Sequence, residues 1–135
     1  MIYTDENRGI IQNRCRSKQI IDFHGMKYDN ITPSDIDGCI DKRGKAFIFY
    51  EYKLNDAEMP QGQKMMYVNL INALRAAKKQ AALFLCRHNI ENPSEDVDAA
   101  EAKVESIYYN GQWWKETAGR NVKEVTDSFM AKFGQ

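Results

Sequence analysis

Apolar residues along this chain fall into unbroken runs, short alternations and helical stripes, and these patterns divide it into elements. Residues 6–24, ENRGIIQNRCRSKQIIDFH, set Ile10, Ile11, Ile20 and Ile21 among Arg8, Arg14, Arg16 and Lys18, which predicts a helix with a basic side. Gly9 weakens its start and Gly25 is a natural stop. Residues 26–34 read as extended or irregular, with Pro33 suited to a strand entrance because it lacks a ladder donor. A first strand is predicted over about 35–41. Its partner, AFIFYEYK at 46–53, is a near-continuous apolar and aromatic run of the kind buried on both faces.

After a polar loop at 55–60, closed by Pro60, the strongest helical stripe in the chain runs from Gln61 to about Lys79. Met66, Leu70, Ile71, Leu74 and Ala77 recur at helical spacing. AALFLCRH at 81–88 is a second buried-type strand, and strand, helix, strand implies a parallel crossover. Residues 89–101 are acidic and turn-rich, an exposed loop or a frayed half-helix. KVESIYYNGQWWKE then carries the Asn-Gly signature of a tight hairpin. Its Trp113 and Trp114 point to opposite faces, so at most one joins the core; sheet-edge packing and a stacking platform for a base are both open. A last helix is expected over about 121–133, with Val122, Val125, Phe129 and Phe133 as its stripe. The sum is an α/β fold with a mixed central sheet flanked by helices.

Charge breaks the apolar pattern at one place. Glu51 and Lys53 share a strand face with Phe47 and Phe49, so two charges sit at the end of a core face, where they are costly unless compensated. Asp35 and Asp37 lie across the turn, and the loop length decides which acids meet. A two-residue loop, Arg43-Gly44, puts the acids on opposite faces. A loop of 43–45 sets Asp37 against Glu51, whereas 42–44, which turn chemistry favours slightly, sets Asp35 there.

Composition narrows the rest. A chain of 135 residues is expected to form a single domain. Nineteen Lys and Arg balance nineteen Asp and Glu, so a nucleic-acid contact has to come from a local basic patch such as Arg14, Arg16 and Lys18. With no apolar signal core and no membrane-length run, a cytoplasmic location without membrane contact is expected. Cys15, Cys39 and Cys86 are widely spaced, which points to reduced, partly buried thiols, and His24 and His88 form no metal-spaced pair.

Asp37, then Glu51-Tyr52-Lys53 fourteen residues on, then Gln63-Lys64-Met65-Met66-Tyr67 at a helix start, resemble the signature of the PD-(D/E)XK nuclease superfamily and the Q-x-x-x-Y motif of its RecB-like branch. The likeness covers roughly residues 10–90 and is nearest to small RecB-like, phage-type or resolvase-like members. It implies a restriction-endonuclease-like core of order α-β-β-β-α-β, with the final hairpin and helix added. The usual proline immediately before the acid is replaced by Pro33-Ser34-Asp35, so the metal-binding acid is Asp35 or Asp37; the fourteen-residue spacing and the following Gly-Cys-Ile favour Asp37. Glu6 is the one candidate for an N-terminal ligand, and the four-cysteine iron–sulfur frame of some relatives is absent.

The resemblance implies metal-dependent hydrolysis of DNA phosphodiester bonds. Asp37, Glu51 and the Tyr52 backbone carbonyl would hold Mg²⁺ or Mn²⁺, the oxygen ligands hard cations prefer. Lys53 would orient or deprotonate the attacking water, Gln63 would position substrate or the lysine, and Tyr67 would buttress Gln63, with Asp35 in support. Arg14, Arg16, Lys18 and Lys64 are the candidate DNA contacts; Arg87 and His88 could reach phosphate, but a solvated strand end is the favoured reading for both. A unit this small works as a homodimer or with a targeting partner in many relatives. The alternatives are a catalytically inactive nucleic-acid- or protein-binding module on the same fold, or an unrelated interaction protein in which these residues share no cleft.

Overall fold

The aromatic run buried on both faces is a strand with neighbours on each side. In a computed structural model, which describes Gln19 and residues 22–135, it is β2, Ala46–Leu54, set between β1, Gly38–Lys42, and β3, Gln80–His88. The antiparallel β1–β2 hairpin is followed by helix α1, Gln61–Ala76, which crosses over to place β3 parallel to β2. Strands β4, Lys103–Tyr109, and β5, Gln112–Lys115, continue the sheet antiparallel, and helix α2, Val122–Phe133, closes the chain. Among the described residues the fold is α/β, with a five-stranded mixed sheet in the order β1-β2-β3-β4-β5 and two helices.

Period-two alternation splits the core in two. Ala46, Ile48 and Tyr50 pack with Phe84, Val125 and Phe129 of the α2 side, while Phe49 packs with Leu83, Tyr67 and Ile71 of the α1 side. Phe84 is fully buried and meets Tyr50 and Phe129 edge-on at 5.5 and 6.2 Å. Phe84→Ala is expected to lower unfolding stability by about 3–5 kcal/mol in urea titrations, the cost of an unfilled core site.

Helix ends follow local chemistry. α1 stops at Ala76, three residues short of the predicted end, because Lys78 turns left-handed (φ 67°) and the chain closes with Lys78 N–H on Arg75 O and Lys79 N–H on Leu74 O. Asn121 caps α2 and exchanges bonds with Glu124 in a capping box. The Asn110-Gly111 turn, with φ of 54° and 79°, joins β4 to β5 as expected of a two-residue loop. Residues 89–102 are loop and turn rather than half-helix.

The chain divides into two units, Met1–Asp35 and Ile36–Gln135. In the first, Asp29 and Asn30 (φ 51° and 65°) make a tight turn bridged by Tyr28 and Ile31. The basic helix predicted over 6–24, with Glu6, Arg14, Cys15, Arg16 and Lys18, lies outside the described residues except at Gln19 and residues 22–24, which are not helical. Among the described residues, two strands precede α1 where the α-β-β-β-α-β order asks for three. No helix among them is long and apolar enough to cross a membrane.

Candidate active site

Hairpin register brings the first acid to the second. Arg43 and Gly44 take positive φ (57° and 72°), the Gly44 N–H bonds Asp41 Oδ1 at 2.7 Å, and Lys45 N–H bonds Lys42 O at 3.0 Å. Lys42 nevertheless pairs with Ala46, so the loop is 43–45, and the register Gly38 to Tyr50 sets Asp37 next, against Glu51. Of the two odd loops, the one favoured slightly by turn chemistry is not used. Asp35 is exposed, outside any strand, at the end of the first unit.

The first strand is shorter than expected. It starts at Gly38 because Asp37 leaves the ladder and uses its side chain instead: Asp37 Oδ2 accepts the Tyr52 N–H at 2.8 Å. An exposed carboxylate therefore caps the hairpin beside the second acid.

Glu51 is the one buried charged residue of the described core, 3% exposed. Its Oε2 accepts the Tyr67 hydroxyl at 2.7 Å and its Oε1 lies 3.3 Å from Lys53 Nζ. Burial holds the carboxyl above its ordinary range; the Tyr67 bond opposes this, the Asp37 charge adds to it, and Lys53 opposes it. The strand alternation that put Glu51 and Lys53 on one face thus delivers them to α1. Tyr67, the expected buttress of Gln63, donates to Glu51. Tyr67→Phe removes that donor, so unfolding stability is expected to fall by about 1–3 kcal/mol at neutral pH. The loss should shrink below the ordinary carboxyl value of 4.5, where Glu51 is protonated and needs the donor less; urea titrations at pH 7 and pH 4 measure both.

Gln63, one turn before Tyr67 on α1, has its Oε1 buried without a donor among the described residues. Such an acceptor costs free energy and is the kind of unpaired group found at functional sites. Lys64 is half-buried with its ammonium 5.1 Å from the Trp113 ring centre. Arg87 is not a solvated strand end: Nε and Nη2 bond the two Glu105 oxygens at 3.1 and 3.2 Å, and Nη1 bonds Ala57 O. A bulge between Leu85 and Cys86 sets up that pairing, and no local pattern announces it. His88 Nδ1 accepts the Ile90 N–H at 3.1 Å. Cys39 is exposed, while burial and nearby Asp37 and Glu51 push the Cys86 thiol up to about 12, an unreactive core thiol.

Among the described residues, no group of three or more His, Cys, Asp and Glu side chains is placed to hold a metal ion. Asp37 and Glu51 offer carboxylate oxygens, the donor type hard cations take, with Asp37 Oδ2 and both Glu51 oxygens already held by protein partners. Two cavities, of about 530 and 520 Å³, share Arg87, and neither is lined by Asp37, Glu51, Lys53 or Tyr67. Comparison of the chain with family models, with curated proteins and with solved structures returns no match.

Proposed function

We propose that the chain is a metal-dependent nuclease that hydrolyses DNA phosphodiester bonds on a restriction-endonuclease-like core. The observation that carries the reading is the buried Glu51, tied to Tyr67 and Lys53, with the Asp37 charge near enough to raise its carboxyl and Asp37 bonded to the next residue, Tyr52. A like charge beside a buried acid raises its free energy, and a fold retains such a pair where the two carboxylates share a cation.

Asp37 and Glu51, with the Tyr52 carbonyl, would hold Mg²⁺ or Mn²⁺, which would supply a more acidic bound water and neutralise charge on the phosphate. Lys53 Nζ, anchored by Glu51 Oε1, orients the attacking water and sets a positive charge beside the phosphate oxygens. Tyr67 fixes the rotamer of Glu51 from the helix side. Water oxygen bonds to phosphorus as its proton passes to solvent, the bond to the leaving sugar oxygen breaks, and that oxygen takes a proton from solvent.

One observation favours a second reading, an inactive nucleic-acid- or protein-binding module. Asp37 Oδ2 is engaged by Tyr52 N–H, and both Glu51 oxygens have protein partners. The test is cleavage of labelled single-stranded, duplex, flapped and four-way-junction DNA with Mg²⁺, with Mn²⁺ and with EDTA. Metal-dependent products support the nuclease. No products, together with no calorimetric heat of Mn²⁺ binding, would leave the binding module.

A further inference from the structure

Helix α1 covers only part of its sheet face. Its buried residues Tyr67 and Ile71 pack over Phe49, Leu83 and Tyr108, a row of cross-strand neighbours that ends at Trp113. The next row on that face is Glu51, Leu85, Ser106 and Lys115, in register across β2, β3, β4 and β5. From Leu85 outward this row forms the floor of a groove of about 520 Å³, walled by Met59, Lys64, Trp113 and Trp114. The groove therefore begins one strand away from the buried acid and runs to the edge strand of the sheet, about 10 Å across two strand spacings.

Its walls combine two signals. On the edge strand, where natural sheets avoid large apolar groups, Trp113 is 36% exposed on the groove's face, and Trp114, turned to the other face by alternation, is 51% exposed at the rim. Lys64 reaches over the Trp113 ring and Lys115 ends the floor, while the groove acid Glu105 is held by Arg87 through two hydrogen bonds; Glu58 is the other acid of the lining. Indole faces with lysines beside them match a single nucleic-acid strand, whose unpaired bases offer free faces and whose phosphates seek cations. In a duplex those faces are already stacked.

We propose that this groove binds a single strand of DNA, stacking a base on Trp113 with phosphates at Lys64 and Lys115, and leads that strand to Glu51 and Lys53. The identity of the polymer and its destination rest on the nuclease reading; the binding itself does not. Trp113 and Trp114 are the only tryptophans in the chain, so intrinsic fluorescence reports on the groove directly.

The test is a fluorescence titration of the full chain in EDTA with oligothymidylate of about 12 nucleotides, within the site size of single-strand-binding folds. The same strand paired with oligoadenylate, and oligouridylate of equal length, are the comparison arms. Saturable quenching by oligothymidylate is expected, with the duplex about tenfold weaker. Trp113→Ala should weaken binding about tenfold and Trp113→Phe should restore most of it, as base stacking requires. Lys64→Ala should flatten the salt dependence.

Unchanged fluorescence, equal binding of duplex, or a Trp113→Ala variant that is folded by circular dichroism and binds as tightly would overturn the proposal. Tighter binding of oligouridylate would overturn the assignment to DNA. Quenching by protein concentration alone, with a dimer in sedimentation, would assign the β5 edge to a second copy instead. Metal-dependent cleavage without oligothymidylate quenching removes this inference and leaves the nuclease. Quenching without cleavage does the reverse.

Discussion

Lys53→Ala is expected to lower the rate of metal-dependent cleavage by about 10²–10³-fold, the usual cost of losing one preorganised electrostatic contact to a transition state. The side chain is held by a single ion pair to Glu51 near the surface end of β2, so its removal leaves the core intact. It also leaves Glu51 with one charged partner fewer, because Lys53 is among the groups that offset the burial of that carboxyl. The loss should therefore appear in kcat at saturating substrate and survive raising the metal concentration. Single-turnover rates on the best substrate of the panel, wild type against variant at matched Mn²⁺, measure it. A variant with wild-type rates would remove Lys53 from the chemistry and reduce the pair to a rim ion pair worth little to stability.

Glu51→Gln is expected to abolish cleavage to a similar degree, about 10²–10³-fold, yet to make the metal-free protein relatively more stable as pH rises. Burial raises the Glu51 carboxyl above its ordinary value of 4.5, so the folded state binds that proton more tightly than the unfolded state does. Its contribution is present in full below the unfolded value and is lost as pH climbs through the raised folded value. Glutamine has no such titration. The stability of the variant minus that of wild type should grow between pH 4 and pH 7 in thermal melts. Mn²⁺ should raise the wild-type Tm, by mass action on the folded state, and leave the variant unmoved. A difference flat across that range would mean that Glu51 lies no higher than a free carboxyl.

Much of this arrangement can be read from residue order. The run Ala46–Lys53 and the stripe after Gln61 predict β2, α1 and the parallel β3, because burial on both faces and helical spacing leave few alternatives. Asn110-Gly111 and the stripe from Val122 to Phe133 do the same for the last hairpin and helix. The shared face of Glu51 and Lys53 follows from period two alone. What stayed open was set by single residues. Lys45 falls in the loop and Lys42 in the ladder, a choice of register between two odd loops that no local propensity encodes. The early departure of Asp37 from β1 depends on a side chain competing with the backbone for one N–H. The Arg87–Glu105 pair depends on a bulge, and the bond from Tyr67 to Glu51 depends on how far α1 lies from the sheet. Such facts belong to tertiary packing.

The spatial order of the sheet is the order of the chain, strand by strand from β1 to β5. Each strand pairs with the strands just before and after it in sequence, so closure entropy is met in small instalments. This order permits stepwise zippering, in which a hairpin or the crossover nucleates and the next strand adds to a template already formed. Asp37, Glu51, Lys53 and Tyr67 all belong to the segment ending with α1, and β3 is the next piece to arrive. The candidate site therefore takes shape with the first hairpin and the crossover. The groove toward Trp113 comes later, with the second hairpin, so a chain folding from its N-terminal side would have its acids in place before the tract that leads to them.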